Sequence, residues 1–143
     1  MADQQETSVT LPSVPASVAA ARRYVTGVLL DWGMPDGADA VDTVRLIISE
    51  LATNAVQHTR GQSPTFTIDV RLERGEELCL GVTDSHPRMP RRLPAAVQQD
   101  NGRGLVIIRT LTAESGGSLT VTPTDSGGKT IWVALPWSPV LAP

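Results

Sequence analysis

The chain has 143 residues, which is enough to bury one hydrophobic core but too few for two ordinary domains. Its 41% hydrophobic and 19% charged residues are typical of a folded globular protein. A net charge of −3 lacks the basic surplus with which proteins bind phosphate backbones, so we expect no direct nucleic-acid partner. No apolar run approaches the roughly 20 residues of a membrane span. The first residues also lack a signal-peptide pattern. We therefore predict a cytoplasmic protein without membrane contact.

A short strand and a first helix are predicted at the start of the chain. Residues 1–6 are polar and are expected to fray, whereas residues 7–11 have the alternation and the β-branched content of a short strand. Ser13 and Pro15 are typical of a helix start, because a hydroxyl caps free amides and proline fits the first turn. Apolar residues then recur at helical spacing until Gly33, which predicts the first helix.

The remaining elements follow from periodicity and turn residues. A second helix is expected from Asp39 to just before Gly61. An alternating hairpin follows at 66–72 and 78–82, and then a long loop at 85–103. The last predicted elements are a short helix at 105–113 and two strands at 119–121 and 131–135. Successive strands look hairpin-connected, so we predict an α+β fold with helices on one face of a mainly antiparallel sheet.

Three polar residues on the second helix share one flank. Glu50, Asn54 and His58 are spaced four and four, so each lies 40° further round the helix than the last. This flank borders the apolar stripe, where polar groups need partners. One interpretation is a boundary helix with ordinary tertiary hydrogen bonds. The other is a site in which the amide oxygen of Asn54 binds Mg²⁺ and the carboxylate of Glu50 orients or deprotonates a nucleophile.

Asp84 has an unusual place in the strand pattern. Period two puts it on the same face as Leu78, Leu80 and Val82, so its carboxylate is predicted to face the core. A buried carboxylate is costly without a donor, and an exocyclic adenine amine would be a suitable one. The alternative is that the strand ends at Thr83 and that Asp84 begins a turn.

Two glycine-containing segments are candidates for phosphate binding. Gly102, Gly104 and the helix that starts near Leu105 would offer free backbone amides to an anion, although helix capping is the simpler interpretation. The run from Gly128 to Thr130 is not a P-loop, because the required earlier glycine is absent and no helix is predicted to follow. Thr130 instead begins a strand, from which its hydroxyl would reach a ligand on the sheet.

The only cysteine, Cys79, excludes an internal disulfide. A lone cysteine in an apolar strand is usually a small core residue without reactivity, and we predict this role for Cys79.

Four segments occur in an order that resembles a known superfamily. ELATNAVQH at 50–58, VTDSHP at 82–87, NGRGL at 101–105 and GGKTIW at 127–132 resemble the boxes of the GHKL ATPases. The chain looks closest to their small anti-sigma-factor serine/threonine kinases. The resemblance covers residues 7–137 and implies a Bergerat-type two-layer sandwich that binds ATP and Mg²⁺, with 85–103 as the ATP lid and 138–143 as a tail.

The resemblance also implies roles for single residues. Glu50 matches the general base and Asn54 the Mg²⁺ ligand, while Asp84 matches the aspartate that binds the adenine amine. Thr130 matches a late threonine near the adenine. The segment that would close on the phosphates comprises Gly102, Arg103, Gly104 and Leu105.

Two functions are compatible with these residues. The first is an ATP-dependent kinase that sequesters a sigma factor and phosphorylates a serine of a STAS-type anti-anti-sigma protein, helped by Arg103 and a further lid arginine, Arg91 or Arg92. The second is a non-catalytic binding switch that sequesters a regulatory partner and uses nucleotide, if any, only to set its conformation.

The wider superfamily has Asp-x-Gly-x-Gly after the adenine strand, whereas Asp84 is followed by SHPR. A homodimer is compatible with either function.

Overall fold

The computed structural model describes residues 4–35, 37, 39–59, 64–73, 76–84, 106–124 and 128–137. Five strands and three helices lie within these ranges. In chain order they are β1 (Gln4–Pro12), α1 (Ala16–Asp31), α2 (Asp39–Thr59), β2 (Thr65–Glu73), β3 (Glu77–Asp84), α3 (106–114), β4 (Ser118–Pro123) and β5 (Lys129–Pro136). The predicted lid at 85–103 and tail at 138–143 lie outside the described residues.

The strands form one antiparallel sheet in the order β1-β2-β3-β5-β4. β3 therefore lies in the middle of the sheet, between β2 and β5. Leu80 of β3 faces Val70 on one side and Val133 on the other. All three side chains are buried in the core, so the central strands share one continuous apolar face.

The helices cover that apolar face. Buried residues of α1 and α2, such as Leu29 and Ile48, belong to the same core as Phe66 of β2 and Leu80 of β3. Ile108 of α3 also belongs to this core. The predicted α+β fold, with helices on one face of a mainly antiparallel sheet, is confirmed. Packing of the apolar face of the sheet against the apolar sides of the helices supplies the main hydrophobic stabilisation of the domain.

The start of the chain differs from the prediction in two respects. Fraying of residues 1–6 is wrong for 4–6, because β1 begins at Gln4 and pairs with β2 to its far end, Glu6 lying opposite Arg71. Ser13 does not cap α1: its hydroxyl is buried without a hydrogen-bond partner, and the N-cap residue is Pro15. The apolar pattern locates the helix correctly, whereas the capping group cannot be read from it.

The ends of the two long helices agree with the sequence signals. α2 begins at Asp39, and α1 ends at Asp31, two residues before Gly33. Gly33 has φ of 104°, a conformation that residues with a β-carbon rarely adopt, so a glycine is needed there. Among the described residues, no helix combines the length and the apolarity required to cross a lipid bilayer.

Candidate functional site

The polar flank of α2 lies beside the helix–sheet interface. Ile47 and Leu51 are fully buried, and α2 packs against β3 and β2. Asn54 follows Leu51 by one turn and keeps only 8% of its surface exposed, whereas Glu50 is half-buried. The two side chains are thus four residues apart on the border of the core. An amide is held inside and a carboxylate remains within reach of water.

Asp84 is the last residue of β3, and its carboxylate faces the core as predicted. It lies opposite the buried Phe66 of β2 and is only 5% exposed. The alternative, that the strand stops at Thr83, is wrong, because β3 includes Asp84. An ionised carboxylate at this depth must accept hydrogen bonds or pair with a cation.

Lys129 provides both kinds of partner. Its backbone N–H donates to Oδ1 of Asp84 over 3.3 Å, and its ammonium Nζ lies 3.1 Å from Oδ2. The side chain of Lys129 is 29% exposed, so the pair extends from the core to the surface. Sequence reasoning missed this residue. The sequence does indicate that a strand starts near Lys129. That this strand lies beside β3 depends on the sheet order, which the sequence pattern does not give.

Gly128 allows β5 to approach Asp84 closely. A β-carbon at position 128 would collide with the backbone oxygen of Asp84 and would lie 2.8 Å from its Oδ1. Lys129 begins the strand β5, where a P-loop would require the start of a helix, so the rejection of a P-loop is confirmed. The glycine before Lys129 serves close packing of two strand ends.

Thr130 lies on the neighbouring rung of the sheet. It is opposite Thr83, and the two hydroxyl oxygens are 2.7 Å apart. Because side chains alternate along a strand, Thr83 and Thr130 point to the face opposite that of Asp84 and Lys129. The sheet register therefore brings Thr130 next to the position of Asp84, but its side chain lies on the opposite face of the sheet. Its assignment to the adenine stays a prediction.

The remaining predicted site residues belong to the lid, the glycine segment and the last turn of α2. Gly102, Arg103, Gly104, Leu105 and the side chain of His58 lie outside the described residues. The lid arginines Arg91 and Arg92 lie outside them as well. The helix predicted to follow Leu105 is present, since α3 covers 106–114. Any phosphate contact of the glycine segment therefore stays a prediction.

Cys79 is not a core residue. It lies half-buried on the open face of β3, and its thiol donates to Oε1 of Glu77 over 3.6 Å. Burial, and after it the negative charges of Glu77 and Glu73, raise the pKa of Cys79 to about 11. The thiol stays protonated at neutral pH, which supports the predicted lack of reactivity although the predicted location is wrong.

The groups on the covered face suit a nucleotide and a hard cation. The carboxylate of Asp84 is an acceptor for an amine, and it is the only acidic group that is buried among the described residues. Asn54 offers an amide oxygen, a ligand type that Mg²⁺ accepts, and Glu50 can take up a proton at the protein surface. These three residues come from two layers that pack on each other.

A comparison with protein families matches residues 11–135 to the family described as "Histidine kinase-like ATPase domain". A comparison with curated proteins finds no match. The family match spans all three helices, the strands β2, β3 and β4, all but the last residue of β5 and every residue of the proposed site, whereas β1 is included only at its last two residues.

Solved structures with the same fold include sensor kinases. The mycobacterial sensor histidine kinase MprB shares 15% identity at a TM-score of 0.51, covering 92% of this chain and 100% of that one. Full-length ShkA in complex with AMPPNP shares 23% sequence identity at a TM-score of 0.58, and the match covers 93% of this chain and 32% of that one. The blue-light activated histidine kinase EL346 of Erythrobacter litoralis shares 20% sequence identity at a TM-score of 0.55, and the match covers 85% of this chain and 40% of that one. The chain thus spans about a third of ShkA, and these identities show the fold alone.

Proposed function

Because the chain belongs to the family of histidine kinase-like ATPase domains, we propose that it binds ATP between α2 and the end of β3 and acts as a protein serine/threonine kinase of the anti-sigma type. The partners of this proposal are a sigma factor, which the protein sequesters, and a STAS-type antagonist that it phosphorylates. Both would be met in the cytoplasm.

The observation that carries the ATP site is the burial of two polar side chains at the helix–sheet interface. Asn54 and Asp84 are 8% and 5% exposed, and they come from α2 and β3, which are in contact. Each buried polar group has a desolvation cost, which apolar residues would avoid if these positions served only to pack the helix on the sheet. A ligand that uses an amide oxygen and a carboxylate accounts for both residues.

The proposed chemistry divides between the two ends of the site. The carboxylate of Asp84 accepts a hydrogen bond from the exocyclic amine of adenine and fixes the base. Asn54 would hold Mg²⁺, and the ion would supply positive charge against the phosphates. Glu50 accepts the proton of the partner's serine hydroxyl while that oxygen forms a bond to the γ-phosphorus and the bond to ADP breaks. Arg103 would stabilise the charge of the transferring group.

Calorimetry with Mg·ATP tests the site. We expect a dissociation constant in the micromolar range, about −8 kcal/mol. Asp84→Asn should weaken binding at least tenfold, whereas Asp69→Asn, which changes a half-buried carboxylate on the open face of β2, should leave it unchanged. No heat of binding with the wild-type protein would rule out the ATP site and the kinase with it.

Phosphotransfer to a STAS-type protein tests the reaction. Glu50→Ala should retain Mg·ATP binding and lose transfer, because Glu50 is half-buried at the border of the site and acts on the acceptor hydroxyl. Loss of binding as well as transfer in this variant would contradict the role of general base.

A second function, the non-catalytic binding switch, is favoured by one observation. Asp84 already has two donors within the chain, the backbone and the ammonium of Lys129, so its burial does not by itself require a nucleotide. If the protein is a switch, the wild type will capture its regulatory partner without any phosphotransfer, and Glu50→Ala will capture it equally well.

A further inference from the structure

The ammonium of Lys129 contacts one of the two oxygens to which the adenine amine is assigned. Nζ lies 3.1 Å from Oδ2 of Asp84, while the backbone N–H of Lys129 donates to Oδ1. The carboxylate end of this pair is 6% exposed and the lysine end 29%. The cation therefore approaches from the solvent side, which is also the side from which a ligand must enter.

We propose that Lys129 acts as a gate at the adenine-binding end of the site and sets the affinity for the nucleotide. The ammonium of Lys129 pairs with Asp84 in the nucleotide-free protein and leaves when an adenine amine takes its place. This inference rests on the proposed ATP site and adds to it a residue that competes with the ligand. Both donors use the same carboxylate, and the ammonium, 3.1 Å from Oδ2, occupies an acceptor position of that oxygen on the side from which a ligand enters.

The exchange is physically cheap for lysine. Its ammonium sits on a flexible, unbranched stem and is strongly hydrated in water, so that a partly exposed lysine can swing outward and recover its solvation. The backbone N–H stays in place when the side chain moves. Asp84 thus keeps one fixed donor at Oδ1 and keeps its orientation toward the incoming base.

The gate lowers the apparent affinity of the site. A ligand that binds only the unpaired form has its affinity reduced by the fraction of molecules in that form. If about one molecule in five is unpaired, removal of the ammonium tightens binding about fivefold. A lysine that instead donates to the ligand, to a phosphate or to a carbonyl such as that of guanine, would have the opposite effect.

Adenosine is the probe that separates these cases, because it has the amine but no phosphate. We expect Lys129→Met to bind adenosine about fivefold more tightly than the wild type, as measured by calorimetry. Arg71→Met is the matched control: it removes one cation from a strand of the same sheet, on the open face, and should leave adenosine affinity unchanged. Guanosine should bind more weakly than adenosine to both the wild type and Lys129→Met.

Each pattern of binding has one meaning. Equal or weaker adenosine binding by Lys129→Met, with binding by the wild type intact, overturns the gate and leaves the ATP site standing. Tighter binding of guanosine by the wild type, lost in Lys129→Met, makes Lys129 a ligand donor and overturns the gate. If neither the wild type nor Lys129→Met binds adenosine or Mg·ATP, the proposed ATP site itself fails, and the gate fails with it.

A second measurement uses the unmodified protein and does not depend on how the variant folds. Lys129 is the only lysine in the sequence, so acetylation of a lysine side chain reports on this one amine. We expect saturating Mg·AMPPNP to raise the acetylation rate of Lys129 about threefold or more, relative to the α-amino group as internal reference, because the ammonium is released into water. Protection of Lys129 by Mg·AMPPNP overturns the gate, since it means that the lysine contacts the nucleotide.

Discussion

The two faces of the central strands use charged residues in different ways. On the face covered by the helices, the side chain of Asp84 is 6% exposed and is held by Lys129. On the open face, Arg71 pairs with Glu6 over 3.3 Å and lies 4.8 Å from the ring centre of Trp132. Water can solvate the open-face charges, whereas a carboxylate on the covered face depends on the protein or a ligand. A charge on the covered face is therefore the more informative sign of a site.

Two glycines next to the central strands differ in what an added β-carbon would meet. Gly128 lies against the backbone of Asp84, which is fixed by its strand. Gly81 lies under the ring of Trp132, where an added β-carbon would be 2.6 Å from the nearest ring atom. Trp132 is half-buried, so its side chain has solvent to move into, while the backbone beside Gly128 has no such freedom.

Alanine at these glycines should give the largest difference in stability. We expect Gly128→Ala to lower the free energy of unfolding by about 3 kcal/mol and Gly81→Ala by about 1 kcal/mol, because only the second clash is relieved by a side-chain movement. Urea denaturation of the two variants measures both values. Equal losses would show that the ring of Trp132 is held as rigidly as the backbone of Asp84.

The thiol on the open face should react slowly despite its partial exposure. With a pKa raised from 9.0 to about 11, Cys79 has about a hundredfold less thiolate at pH 8 than an ordinary cysteine, and its alkylation rate should rise about tenfold per pH unit from pH 7 to pH 10. Iodoacetamide kinetics followed by mass spectrometry measure this, with the urea-unfolded chain as the control. The same rate in folded and unfolded protein would mean that the acidic neighbours and burial have no effect.

The smallest difference is expected between the two ion pairs. A double-mutant cycle with Asp84→Asn and Lys129→Met should give a coupling energy of about 1 to 2 kcal/mol, because one partner is buried. The matching cycle with Glu6→Gln and Arg71→Met should give less than about 0.5 kcal/mol, because the side chains of Arg71 and Glu6 are 38% and 62% exposed and water screens the pair. A coupling at Glu6 and Arg71 as large as that at Asp84 and Lys129 would remove the distinction between the faces.

Local patterns predicted much of this molecule. The apolar repeat placed α2 from its first residue, and strand alternation turned Asp84 toward the core, because both depend on periods that the sequence displays directly. The predictions for Ser13 and Cys79 were wrong in location or contact. Capping depends on where a hydroxyl points, and the burial of a strand residue depends on which face the helices cover.

Glu50 and Asn54 share a flank of one helix, and this relation follows from sequence alone, because residues four apart on a helix are neighbours whatever surrounds them. The family to which the chain belongs also follows from sequence. The pairing of Asp84 with Lys129 has a different origin, since 45 residues separate them. Only the sheet order, with β5 beside β3, brings the ammonium to the carboxylate. That order is set by how the strands share one buried face, which no local pattern encodes.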